Sequence, residues 1–156
     1  GPRPVLVETR ALIVRLQGGA TPRRAVVGWD SGRLAMLLAV LEARCGLSFS
    51  SAEVYLNVAG GYRLSDPAAD LAVAAALVSA MGDKPLPSNS VWFGEVSLAG
   101  EIRPVAHSSI RQRESAKLGF GHAFGPAGAE AKTDGNIRFR GIAMLPNLVD
   151  RVLSGA

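Results

Sequence analysis

The chain has 156 residues, 48% of them apolar, with a mean hydropathy of +0.21, which is enough for one domain with a buried core. Its longest apolar run is shorter than the roughly 18 residues of a membrane span, and no basic segment leads into an apolar one at the start, so a soluble, cytoplasmic protein is expected. Cys45 is the only cysteine, which excludes an internal disulfide and a cysteine-based zinc site, and with His107 and His122 alone beside it no metal or redox chemistry is expected. The net charge is +4 and fourteen of the 17 cationic residues are arginine, a flat fork that pairs two phosphate oxygens at once. Such a balance suits nonspecific nucleic-acid binding, and it also suits an ordinary solvated surface.

Gly1-Pro2 reads as a tag remnant, and Pro4–Leu16 combines β-branched residues with partial alternation, predicting a long first strand. A turn over 17–22 leads to a second strand over 23–28, so the two are expected to pair as an antiparallel hairpin with Arg23 and Arg24 at its tip. Asp30 or Ser31 caps a helix over 33–45, stopped by Gly46, and Cys45 at its end is a small packing residue. A strand over 53–58 is followed by Ala59-Gly-Gly-Tyr-Arg-Leu-Ser65, where Gly60-Gly61 could cradle an anion but more simply supplies backbone freedom.

The most definite helix follows. Asp66 is a good N-cap, Pro67 fits the first helical position, Asp70 places negative charge near the positive end of the dipole, and the run to Met81 carries no further charge until Gly82 stops it. A helix apolar on every side must be buried, and its alanines let neighbours approach closely. Val91–Ser97 and a strand ending at Pro104 predict a second hairpin through Leu98-Ala-Gly-Glu101. Residues 108–118 read as an amphipathic helix exposing Arg111, Arg113, Glu114 and Lys117, residues 122–126 and 136–140 as short strands, and 145–153 as a closing helix. Hairpins mixed with helical crossovers predict a single α+β domain with a mixed sheet.

Several of these stretches together resemble a known family: Arg3-Pro-Val-Leu-Val-Glu8, Thr21-Pro-Arg-Arg24, Arg33–Glu42, Leu56-Asn-Val-Ala-Gly-Gly61, Asp66-Pro-Ala-Ala-Asp-Leu71 and Gly94–Pro104. In order and spacing they are similar to the proteolytic domain of the Lon protease family, and more closely to the C-terminal domain of the RadA (Sms) family of bacterial DNA repair proteins. The resemblance implies a Lon-like fold of the ribosomal protein S5 domain 2 type over nearly the whole chain. Lon peptidases use a serine nucleophile after a proline at a helix start and a lysine of lowered pKa as its base. The matching positions here are Ala68 and Ser109, neither of which can take those roles.

The resemblance therefore implies no catalytic residue in this domain. It implies instead an oligomerisation scaffold and DNA platform for a hexameric branch-migration ATPase, with a recombinase as a further partner and no membrane contact. No Gly-x-x-x-x-Gly-Lys-Ser/Thr loop occurs, so ATP and magnesium are expected only in a RecA-like domain outside this chain. Arg23, Arg24, Arg33, Arg63, Arg103, Arg111 and Arg113 are the candidates for phosphate contacts, each equally able to pair internally or with a neighbouring subunit, for example with Glu8, Glu42, Glu53 or Asp150. Two alternatives stand beside this reading. One is a purely structural ring-forming scaffold. The other is a residual peptidase drawing on Ser65, Ser108 or Ser109 with Lys84 or Lys117; a carboxylate pair among Asp66, Asp70, Glu95 and Glu101 is better explained by caps and hairpin charges.

Overall fold

The computed structural model describes residues 8–18, 21–59, 65–105, 119, 121–128 and 137–155. The expected helix over 108–118, the Gly60-Gly61 loop, Arg63, Ser109, Arg111 and Arg113 lie outside the described residues. Strand β1 (Glu8–Arg15), β2 (Arg24–Val27), helix α1 (Ser31–Cys45) and β3 (Ala52–Ala59) come first, followed by a 3-10 turn (Pro67–Ala69) and α2 (Asp70–Gly82). The second part holds β4 (Ser90–Trp92), β5 (Glu95–Val96), β6 (Ile102–Arg103), β7 (His122–Pro126), β8 (Arg138–Ile142) and α3 (Leu145–Ser154). The α+β class is as expected.

The first two strands do not form the expected hairpin. β3 lies between them, antiparallel to β1 over all eight residues and parallel to β2. β3 is the strand with the strongest apolar alternation, burying Ala52, Val54, Leu56 and Val58, so it takes the central place and leaves β1 and β2 as edges. The parallel β2–α1–β3 connection supplies the helix that covers the inner face of this sheet. Asp30 caps α1, its carboxylate accepting from the Arg33 N–H at 2.9 Å, and Gly46 ends it in the left-handed region.

Helix α2 is the core. Every residue from Asp70 to Val78 is buried, and the helix lies against β1, α1 and α3. Fully burying Leu71, Val73, Leu77 and Val78 contributes roughly 1.5–3 kcal/mol each. The helix begins at Asp70, after the 3-10 turn, and it ends at Asp83, whose backbone is left-handed at φ +51; the expected stop, Gly82, is still helical. Gly82 serves close packing instead, because a Cβ there would overlap the Leu153 side chain of α3.

The expected strand over 91–97 is divided between two sheets. β4 joins β7 and β8 in an all-parallel sheet, while β5 pairs with β6 as the expected antiparallel hairpin. The division falls at Phe93-Gly94. The Phe93 N–H bonds the Phe124 carbonyl at 3.0 Å, while Gly94, at φ +154, turns its own N–H and carbonyl toward the start of α2. A side chain at Gly94 would press on Ile102 of β6. Gly28 shows the same constraint more strongly: at φ +82 it ends β2 with its α-carbon against the Val58 carbonyl. Gly28→Ala is expected to destabilise the fold by at least about 2 kcal/mol, through strain and displacement of β3, as measured by the midpoint of a guanidinium unfolding curve.

Candidate functional site

The start of α2 is a junction of three segments. The Asp66 carboxylate accepts from the Ala68 N–H at 2.9 Å, fixing the turn, and Pro67 needs no donor partner there. Gly94 then clasps the turn from the other side: its N–H donates to the Ala68 carbonyl at 3.1 Å and its carbonyl accepts from the Leu71 N–H at 3.0 Å. The buried Trp29 places its indole N–H 3.5 Å from the Asp66 carbonyl. Ala68 is 1% exposed. The side chain of Ala68 is thus a buried methyl group, with neither a reacting atom nor an opening to solvent.

Two residues further on, Asp70 is the one buried charged side chain among the described residues. Arg33 of α1 donates to both of its oxygens, at 2.9 and 2.5 Å, and the Val96 N–H of β5 adds a third bond at 3.0 Å. Burial pushes the Asp70 carboxyl above its ordinary value, and the bonds from Arg33 and Val96 oppose that push. Arg33 is in turn held above its usual value, chiefly by its hydrogen bonds to Asp70. The planar guanidinium suits this site because it fills both carboxylate oxygens at once.

The candidate arginines divide by their surroundings. Arg33 is committed to Asp70. Arg24 donates to the carbonyls of Ala52 and Phe49, closing the turn that enters β3. Arg103 lies 3.6 Å from Glu101, with both side chains more than half exposed, an arrangement screened by solvent. Arg23 is exposed, and its backbone carbonyl accepts from the Val54 N–H. Of the acidic residues considered as structural partners, Glu8 pairs with Arg10 at 2.6 Å and Glu53 accepts from the Tyr55 hydroxyl at 3.0 Å.

Lys84, considered as a replacement base, follows the far end of α2. A helix of 13 residues at about 1.5 Å per residue separates it from Ser65 and Ala68. Among the described residues no group of three histidine, cysteine or acidic side chains could hold a metal ion, and no helix is long and apolar enough to cross a membrane. Sequence reasoning missed the Arg33–Asp70 pair and a row of two cations on β8, Arg138 and Arg140, the second of which lines a cavity with Arg151. The Arg-Phe-Arg alternation in a strand was the available signal for the second, since it puts two guanidiniums on one face.

Comparison with known proteins adds the lineage. The family model described as subunit ChlI of Mg-chelatase matches residues 32–128. Among curated relatives, the DNA repair protein RadA of Brucella abortus is 57% identical over 158 aligned residues, covering all of this chain and 34% of that protein. RadA of Rickettsia felis is 56% identical over 120 residues, 77% of this chain and 27% of its own length, and RadA of Salmonella typhimurium is 50% identical over 127 residues, 81% of this chain and 27% of its own. The chain therefore spans about a third or less of the length of these relatives.

Arg33→Met leaves the Asp70 charge buried without its main partner and is expected to cost roughly 3–5 kcal/mol in urea unfolding. The double substitution Arg33→Met, Asp70→Leu should recover most of that loss. Equal and additive losses from the two sites would show that the pair is not coupled.

Proposed function

The chain belongs to the family described as subunit ChlI of Mg-chelatase and is homologous along its whole length to the DNA repair protein RadA, and from that premise we propose that it is a non-proteolytic, Lon-like domain of a RadA-type repair protein, serving as oligomerisation scaffold and DNA platform. The observation that carries this reading is the 57% identity to a DNA repair protein over all of the chain; the match to the chelatase subunit covers only residues 32–128. ATP, magnesium and branch migration are assigned to the remainder of such a protein, and a cytoplasmic setting with a recombinase nearby follows from the same reading.

Three features of the domain support it. Ala68 carries no nucleophile and is closed from solvent, so peptide cleavage at that position has no chemistry to draw on. The outer face of the β1–β3–β2 sheet exposes Leu12 at 59%, Val27 at 65% and, to a lesser extent, Val14, an apolar surface of the kind subunits bury in a ring. The arginine-rich surface suits phosphate contact without base reading. Arg23, which is exposed, and Arg103, held only by a solvent-screened pair with Glu101, are the described candidates, and Arg63, Arg111 and Arg113 complete the set, whereas Arg24 and Arg33 act inside the fold.

The internal commitment of Arg24 and Arg33 gives some weight to the purely structural scaffold as a second reading. The two separate in a titration of fluorescent duplex DNA followed by anisotropy at several salt concentrations. The platform reading expects weak binding that falls steeply with salt, and in the Arg23→Gln, Arg103→Gln double variant a log–log salt slope reduced by about 2 with an unchanged sedimentation coefficient. Absence of binding at low salt overturns the platform and leaves the scaffold.

A further inference from the structure

The parallel sheet and α3 enclose a second site, unrelated to the start of α2. The strand register sets Trp92, Phe124 and Arg140 side by side across β4, β7 and β8, with Ser90, His122 and Arg138 in the adjoining row of the same face. Trp92 and Phe124 stack with ring centroids 4.0 Å apart and planes 10° apart. Arg151 of α3 lies over Phe124, its Cζ 5.6 Å from the ring centroid, so the guanidinium is positioned by the aromatic face. Between these groups and Pro85 and Pro87, from the α2–β4 connection, is a cavity of about 320 Å³.

The chemistry of its lining is one-sided. Trp92, Phe124, Val152 and the two prolines give apolar walls, and every charged side chain among the lining residues is a cation. Among the described residues, neither Arg140 nor Arg151 forms an ion pair with a carboxylate or donates a hydrogen bond to a carbonyl. His122 adds a ring nitrogen at the edge. Two guanidiniums beside apolar walls fit a small anion that presents several oxygens and is attached to a flat apolar body. The volume is at the small end of ligand pockets, the size for one such unit and too small for a duplex.

We infer that this cavity binds the phosphate ester of a single nucleotide unit, with Arg140 and Arg151 on the phosphate and the base against the Pro85, Pro87 and Trp92 wall. The unit has two possible sources, a free mononucleotide or the terminal nucleotide of a DNA strand. The inference stands apart from the DNA-platform reading, because a free mononucleotide satisfies it even where duplex binding fails.

The Trp92 indole N–H, which donates to the Ser90 hydroxyl at 3.0 Å, is a built-in probe, and the buried Trp29 is its internal control. The test titrates the ¹⁵N-labelled chain with deoxyadenosine monophosphate, deoxyadenosine, ribose phosphate and a short single strand carrying a terminal phosphate. The Trp92 indole signal should move with the nucleotide while that of Trp29 stays, and Arg140→Gln should weaken binding at least about tenfold with the spectrum otherwise intact. Arg151→Gln should do the same; Arg140, exposed on its strand, keeps the test valid if loss of the Arg151 contact disturbs packing. A shift with the strand and none with the free nucleotide assigns the source to DNA ends. No Trp92 shift with either ligand, equal affinity for deoxyadenosine or ribose phosphate, or undiminished binding in Arg140→Gln overturns the inference.

Discussion

A single buried carboxylate holds the domain together. Asp70 is wholly removed from solvent, and such a charge is tolerable only when its oxygens are filled. Arg33 fills them from α1 and the Val96 N–H from β5, so one side chain joins the helix that covers the first sheet, the central helix and the hairpin. The Gly94 bonds to Ala68 and Leu71 reinforce the junction at backbone level. Moving any of the three segments would leave a charge or a backbone group unsatisfied, which is why the turn at 66–70 is so closely specified.

That specification leaves the side chain of residue 68 without a part in holding the turn, as the proposed non-proteolytic reading requires. The cap from Asp66, the proline, and the Asp70 clasp all act on the backbone path and on α2, and none of them needs a hydroxyl at residue 68. Alanine there completes a packed core. The surfaces proposed for assembly and for a phosphate-bearing ligand lie elsewhere on the domain: the outer sheet face with Leu12 and Val27, and the cavity between α3 and the parallel sheet.

Much of this was legible in the sequence. The α1 cap at Asp30 and stop at Gly46, the Asp66-Pro67 start, the all-round burial of α2, the β5–β6 hairpin and the closing helix follow from local signals acting within a few residues. The errors were nonlocal. Proximity in sequence favoured a β1–β2 hairpin, whereas the apolar alternation of β3 won it the central position. A strand signal over 91–97 could not reveal that Gly94 diverts the chain between two sheets. Asp70 read as a dipole charge because its partner Arg33 is 37 residues away, and the same distance hid Arg33 among the surface arginines. Arg140 and Arg151 line one cavity although they lie on different elements, β8 and α3, which no local signal relates.

The central claim is that the start of α2 is a structural junction without peptidase chemistry. A serine-reactive fluorophosphonate, incubated with the intact chain and followed by intact-mass and peptide mass spectrometry, tests it most directly. The account predicts an unmodified chain. A single phosphonate adduct on Ser65 or Ser109, formed in the native protein and not formed when the chain is unfolded before the reagent is added, would contradict it.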